Sequence, residues 1–559
     1  MLLSCLASLA LHSTPVSDSQ AAGANPASEV RLVVVLSVEA LIPEQLERLR
    51  PLWKGGFARL LNEGASFPEA ALPYATTQSA AGHGSFGSGS LPSAHGITRD
   101  ALLDPESGMF VPSVLDAEVQ TVSSSDLHVP GTGSASGVRL QQTGWAAELR
   151  AHWPQSRSVS ISGSGAAAAL VGGKTPELAT WWDSYGRGFV SSSAYVEELP
   201  AWLADWNRNW PVLASGWSWK APELEPLLET GTAQDDRGGE GSVAGRAAVF
   251  PYPAPIPPKV QSPSSQASLA GYAYVTPLMD ELVCNVARAA IRGAGLGQDE
   301  SVDLLAIGLS SGSILAEATG PYSLEVTDCL LRADQQLGEL FEAFDREVGA
   351  GRWMLVLSSD RGILELPEGG RGDAQGAVRL RVRARREALQ SMRQSLIKEF
   401  GQDFGANMTT SADGVSFRPG AIDALGEDVD PARVRAVIAQ ALGSLPWVAG
   451  AYTREQLLAA PSQSQDPWVA LFRNSYHPSS GLEVLLRLSH RHLLGLQSGS
   501  SSGSPYLYDR RQPLIFLGPG FPRGALRGSA SSVDALASVL GRLGVEISGR
   551  PDSRDLFAQ

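Results

Sequence analysis

A doubly wound α/β sheet, mostly parallel and flanked by helices, is the fold class this sequence predicts, and three observations predict it. The runs Arg31-Leu-Val-Val-Val-Leu-Ser-Val38, Val302-Asp-Leu-Leu-Ala-Ile-Gly308 and Trp353-Met-Leu-Val-Leu-Ser-Ser359 are nearly continuously apolar, as strands buried on both faces are. Helical segments alternate with them, which is the pattern of parallel strands joined by crossovers. The first and third runs end on carboxylates, Glu39 and Asp360, at the sheet edge where open α/β folds carry their ligands.

Taken in order, residues 1–28 are apolar and then small and polar, and read as signal-like or disordered. Leu2-Leu-Ser-Cys-Leu-Ala-Ser-Leu-Ala10 looks like the end of a secretory apolar region without its basic start. This points to a periplasmic or other extracytoplasmic location. Residues 29–559 read as one α/β domain. Pro43 to Glu63 reads as an amphipathic helix closing on Gly64, and Arg157 to Ile161 as a short strand. A cap is expected over about 170–275, with Pro, Gly and Ser dense from about 205 to 270 and Pro251-Tyr-Pro-Ala-Pro-Ile-Pro-Pro258 reading as extended. Regular signals return with a helix from Pro277 to about Arg292 and a long helix from Ser323 to Val348. A small subdomain is expected over about 378–480, then strands at 484–490 and 513–517 and a last helix from Ser532 to Leu543.

The 559 residues suffice for a large core. A net charge of −14 with no Lys/Arg block argues against nucleic acid, and no run is long enough to span a membrane. Cys5, Cys284 and Cys329 show no zinc spacing; a Cys284–Cys329 bridge stays open.

The stretch Pro73-Tyr-Ala-Thr-Thr-Gln-Ser-Ala-Ala-Gly-His83 delivers hydroxyls to a helix start. There the dipole and free N–H groups suit a nucleophile or an anion; an ordinary N-cap is the plainer alternative. With its neighbours, this stretch resembles the alkaline phosphatase superfamily, in the branch of phosphodiesterase and nucleotide pyrophosphatase-like enzymes. The matching landmarks run in order: Val33 to Glu39, Gly56 to Ala65, Tyr74 to His83, His95-Gly-Ile97, Trp181-Trp-Asp183, Glu198 to Trp202, Leu304 to Pro321, Ser358-Ser-Asp-Arg-Gly362 and Gly503-Ser-Pro-Tyr506.

The resemblance implies phosphoryl transfer through a covalent intermediate aided by two zinc-type ions. Carried over position by position, the nucleophile falls on Ser79. The metal-ligand positions fall on Glu39, Ser313, Glu317, Asp360, Arg361 and Ser502, of which only Asp360 keeps the family's residue. The phosphate-binding Asn falls on Asp100, and the phosphate-clamping Lys and Arg fall on Ser162 and Ser164. The implied activity is therefore that of a phosphoric ester hydrolase. The substitutions instead predict a degenerate member without the two-metal site and phosphate clamp, acting by binding or as a scaffold. Arg361 is expected to replace the ions as counter-charge, salt-bridged to Glu39 or Glu317, so that no cofactor is required. The alternatives are a phosphomonoesterase or phosphodiesterase using Ser79 at an altered site, and a single Mg, Ca or Zn ion at Glu39, Glu317 and Asp360. A phosphate ester or a neutral small ligand are the ligand classes left open; no partner is specified.

His83 and His95 match positions outside the implied metal cage and read as structural hydrogen-bonders. His490 and His492 read as one face of a strand, solvated rather than ligating. Trp181, Trp182, Trp202, Trp206 and Trp210 read as cap packing, with a sugar or base platform as the alternative.

Overall fold

The three apolar runs become the centre of a ten-stranded sheet in the computed structural model. The structure describes residues 29–558 except 105, 126–132, 215, 233, 256–262, 370–375, 419, 422–428, 460–465 and 548. The signal-like segment 1–28 and the end of the Pro-rich stretch lie outside the described residues. The strands are β1 (Leu32–Val38), β2 (Ala65–Ser66), β3 (Thr121–Val122), β4 (Ser158–Ser162), β5 (Leu178–Asp183), β6 (Gly188–Ser192), β7 (Asp303–Leu309), β8 (Trp353–Ser358), β9 (Leu514–Leu517) and β10 (Gly524–Ala525). Their spatial order is β10-β2-β9-β8-β1-β7-β4-β5-β6-β3.

Strands β8, β1, β7, β4 and β5 run parallel, with Val35 of β1 opposite Ala306 on one side and Val356 on the other. Outside them β9 and β2 pair antiparallel on one flank, and β6 and β3 on the other. The sheet is thus mixed: its five central strands are parallel, antiparallel strands flank them, and β10 pairs parallel with β2 at one edge. The reason is local: a short turn joins β5 to β6, and a short turn can connect only antiparallel neighbours. These two strands fall inside the range expected for the cap, so residues 178–192 belong to the main sheet.

All residues of β1, β7 and β8 are buried. Leu32, Val34, Leu36 and Val38 pack into one core, and Val33 and Val35 into the core on the opposite face. Period-two alternation sends neighbouring side chains to opposite faces, so a doubly covered strand must be apolar throughout.

The segment expected as one helix from Pro43 to Glu63 is two helices, Pro43–Arg48 and Gly56–Glu63, with a 3₁₀ turn at Arg50–Leu52 between them. Pro51 lacks the N–H an α-helix would need there. Gly55 also approaches the next layer so closely that a Cβ would lie 2.1 Å from the Asp334 carbonyl oxygen. The long helix Leu324–Phe344 starts on Ser323, whose hydroxyl accepts from the Val326 N–H. The last helix is shorter than expected, Ala535–Arg542, entered through a 3₁₀ turn at Ser532–Asp534. Cys284 and Cys329 are buried free thiols, unbridged.

Of the tryptophans read as cap packing, Trp202, Trp206 and Trp210 stand on the helix Ala201–Leu213, whereas Trp181 and Trp182 stand on β5 of the main sheet. Trp182 lies edge-on to Trp210 and Phe189, and Trp206 edge-on to Phe189. The small subdomain has its own four-stranded antiparallel sheet, made by Met408–Thr410, Gly414–Phe417, Val448–Thr453 and Val484–Leu488, and its own apolar core. It therefore extends past 480, and Val378–Leu380 pairs with His492–Leu494 beyond it. His490 and His492 do not share a strand face, because Arg491 between them takes φ 60° and turns the chain. Among the described residues no helix is long and apolar enough to cross a membrane.

Candidate functional site

Strands β1, β7 and β8 end side by side, and the loops leaving their C-terminal ends meet a fourth element, the helix Ser79–Ser88. That helix is built from small residues because it is pressed against its neighbours. A Cβ on Gly82 would lie 2.0 Å from the Asp360 carbonyl oxygen, and one on Gly87 would lie 1.8 Å from that of Leu170. The close approach sets Ser79, at the first turn, against the Asp360-Arg361 corner.

Arg361 is the hub. Its side chain is 3% exposed. Nε–H donates to Ser79 Oγ at 3.1 Å, and Nη2 donates to Ser313 Oγ at 2.8 Å and to Glu317 Oε1 at 2.6 Å. Nε also lies 3.4 Å from Asp360 Oδ2. Ser313 and Glu317 are four residues apart on the helix Ser311–Thr319, hence on one face, which is how a single nitrogen reaches both. Burial works against the Arg361 charge, but Asp360, Glu317, Asp100 and Glu39 outweigh it and hold the guanidinium more firmly protonated than usual. The sequence allowed Glu39 or Glu317 as the salt-bridge partner; the contact is with Glu317, which is 50% exposed and forms the rim of the pocket.

Behind Arg361 lies a second cluster. Glu39, His83 and Asp360 are all buried, and each offers a ligand atom within 4.8 Å of the others. His83 Nε2 lies 3.3 Å from Glu39 Oε1, and Nδ1 lies 3.4 Å from Ser37 Oγ. Asp360 Oδ1 accepts from the Ala40 N–H at 2.8 Å, while its Oδ2 has no hydrogen bond among the described residues. Burial raises the Glu39 carboxyl above its ordinary range, against the pull of His83. For His83, burial opposes the charge, yet Glu39 and Asp360 prevail and the net direction is up. Reading by position set His83 outside the cage as a structural hydrogen-bonder; its ring contacts Ser37 and Glu39, and it also stands within reach of Asp360. The available signal was spacing: Ser79 and His83 are four apart on one helix.

The remaining positions divide. Asp100 Oδ1 accepts from the Ala80 N–H at 2.8 Å, so a carboxylate of the chain itself occupies the positive end of the Ser79 helix. Ser162 and Ser164 make local bonds: Ser162 Oγ accepts from the Ser164 N–H, and Ser164 caps the helix Gly165–Leu170. Among the described residues no hydrogen bond joins either of them, or the Ser502 side chain, to the Arg361 cluster. Nothing in the sequence marked Asp413, on a hairpin tip of the small subdomain. It accepts from Gln78 Nε2 at 2.6 Å and pairs with Arg99 at 2.9 Å, linking the small subdomain to the start of the Ser79 helix. The Gln78 side-chain oxygen in turn accepts from the Asp100 N–H at 2.8 Å.

A β-sheet of this order, with a hydroxyl at a helix start facing carboxylates at the strand ends, is the architecture of the alkaline phosphatase superfamily. The model of the type I phosphodiesterase / nucleotide pyrophosphatase family matches residues 33–392, and the chain belongs to that family. It is similar to alkaline phosphatase PafA of Elizabethkingia meningoseptica, with 32% identity over 348 residues, or 60% of this chain and 61% of that relative. The sequence match thus spans about three-fifths of the relative's length. The crystal structure of PafA superposes with a TM-score of 0.81 at 26% identity, covering 94% of this chain and 98% of that one. A solved PafA variant, with one threonine changed to serine and an asparagine, a lysine and an arginine changed to alanine, gives 0.82 at 26% identity.

Proposed function

We propose that this protein keeps the phosphate-cleaving scaffold of its family as a metal-free pocket that binds a ligand and does not hydrolyse phosphate esters by the two-ion route. The observation that carries this is the Arg361 guanidinium, buried and bonded at once to Ser79, Ser313 and Glu317. These are the nucleophile position and two positions that would hold ions. A guanidinium cannot ligate a metal, and its fixed charge repels one. The donor set does not fit two zinc ions, since serine replaces ligands at 313 and 502 and arginine at 361.

The electrostatics toward substrate agree. Ser162 and Ser164 bring no positive charge where the family has Lys and Arg. Asp100 already occupies the helix start that would receive phosphoryl oxygens. Glu39, Asp100, Glu317 and Asp360 all bear on the single Arg361, so the pocket carries an excess of carboxyl groups and disfavours a phosphate dianion. A neutral small ligand suits it better. The four residue types changed in the PafA variant are those the family carries at the positions of Ser79, Asp100, Ser162 and Ser164. Among the described residues no base is placed to deprotonate Ser79: the neighbour bonded to its oxygen is a donor, Arg361 Nε–H.

The test is hydrolysis of p-nitrophenyl phosphate and bis-p-nitrophenyl phosphate, with and without added zinc, against a Ser79→Ala control. The reading expects no turnover above that control. Zinc-dependent turnover lost in Ser79→Ala would overturn it.

A second reading rests on Glu39, His83 and Asp360. These three could hold one divalent cation beside Ser79, with His83 taking the place expected for Glu317, because Glu317 is committed to Arg361. Such an ion would supply charge to a phosphoryl group, and the relatives' phosphatase names favour this reading. It predicts Mg- or Zn-dependent turnover abolished by His83→Ala. For either reading we propose an extracytoplasmic location, on the character of residues 1–28.

A further inference from the structure

A second site, remote in character from the acidic pocket, lies beside the small subdomain. The segment Val378-Arg-Leu-Arg-Val-Arg-Ala-Arg-Arg386 carries five arginines in a chain whose net charge is −14. It passes from the strand Val378–Leu380 into the helix Val382–Phe400. Helix stability does not explain the cluster. The first turn of a helix favours Asp and Glu; here it holds Arg383 and Arg385, and the N-cap residue Arg381 makes no capping bond. A cleft of about 590 Å³, within the range of small-molecule sites, opens at this point. Arg379, Arg381 and Arg383 line it together with Glu368, Val382 and the loop Gly495-Leu-Gln497.

Among the described residues the charges do not balance within the cleft. Glu368 takes Arg379 in a two-pronged bridge, with 2.8 Å on each arm. Arg381 is exposed and has no ion pair among the described residues. Arg383 is 88% exposed and reaches only Glu387, one turn on, in a solvated pair that a ligand can displace. Among the described residues two guanidiniums are therefore left over, two residues apart in the lining of one cleft that Leu496 and Val382 also line. Guanidinium pairs of this kind match the planar, two-oxygen face of a phosphate or sulfate group.

We propose that this cleft binds a soluble small molecule bearing two phosphate groups, with Arg381 and Arg383 as the recognition residues. The proposal is independent of what the Ser79 pocket does. The experiment is calorimetric titration of the full chain with pyrophosphate at low and at physiological salt, with hydrogen exchange to locate the site. Binding is expected to weaken with salt and to protect amides at 379–384 and 494–497. Arg381→Ala with Arg383→Ala, both surface changes, should lower affinity at least about tenfold, whereas Arg386→Ala outside the cleft should change it less than about twofold. Circular dichroism checks that the variants are folded. Four results would each overturn the proposal: no binding of pyrophosphate, unchanged affinity in the double variant, an equal loss in Arg386→Ala, or protection at 79–88 and 360–361 instead.

Discussion

The two halves of the pocket answer the same problem in different ways. In front, Ser79, Ser313 and Glu317 accept hydrogen bonds from a guanidinium, of which Nη1 alone has no partner among the described residues. Behind, Glu39, His83 and Asp360 crowd together, and each keeps an atom without a hydrogen bond among the described residues. The front half is tied together by hydrogen bonds from one cation, while the rear half depends on its neighbours' charges to stay buried. The difference teaches that several buried carboxyl groups can crowd one site where a single fixed cation stands among them. Asp360 joins the halves, lying 3.4 Å from Arg361 and within ligand distance of His83.

Removing the hub should have the largest effect. Arg361→Ala leaves Asp360 buried and uncompensated, and by analogy with broken buried pairs it should cost about 3–5 kcal/mol in urea denaturation. A loss under about 1 kcal/mol, the range of exposed pairs, would mean that the front half does not hold the rear. Next comes the close approach that builds the pocket. Gly82→Ala should destabilise by about 1–3 kcal/mol, since its Cβ would meet the Asp360 backbone and not a movable side chain. An unchanged denaturation midpoint would show that the helix does not sit against Asp360.

The two buried histidines sharpen the contrast through pH. His95 has no carboxylate beside it. Its Nδ1 accepts from the Ile97 N–H at 3.1 Å, so Nε2 carries the proton toward Ser85 Oγ at 3.0 Å, and the ring is satisfied as neutral. Burial pushes it down to about 3. With the folded value depressed, its contribution is fully present above the unfolded value of about 6.5 and is lost as pH falls toward 3, at about 1.4 kcal/mol per pH unit. His95→Gln should flatten that part of the stability profile between pH 6.5 and the onset of general acid unfolding. His83 shifts the other way, and its contribution fades as pH rises above 6.5. The smallest effect is expected at the rim: Glu317→Gln should cost no more than about 1 kcal/mol, because that carboxylate is half in solvent.

How much of this was legible depended on whether the signal was local. The central strands were readable because burial on both faces forbids polar residues in them, and Glu39 and Asp360 marked their ends. The β5–β6 hairpin was not, because its tryptophans and glycines look like the cap beside it. The break in the helix after Arg48 was legible in Pro51 and Gly55 but was outweighed by the apolar periodicity around them. At the site, the sequence reading put Arg361 among carboxylates; it could not choose between Glu39 and Glu317, because the choice depends on how far the helix Ser311–Thr319 stands from the strand ends. His83 was read as a structural hydrogen-bonder; that its ring stands beside both Glu39 and Asp360 depends on how the Ser79 helix packs on the strand ends, which the sequence does not give. Asp413 was beyond reach, since it meets Gln78 only through the docking of two separate sheets.

Metal analysis of the full chain, purified in zinc-containing buffer and then dialysed, tests the central claim most directly. With Arg361 standing where ions would be held, the protein should retain no stoichiometric zinc, and its thermal midpoint should not move when chelator is added. Zinc retained in stoichiometric amount, together with a chelator-induced fall in that midpoint, would contradict the account.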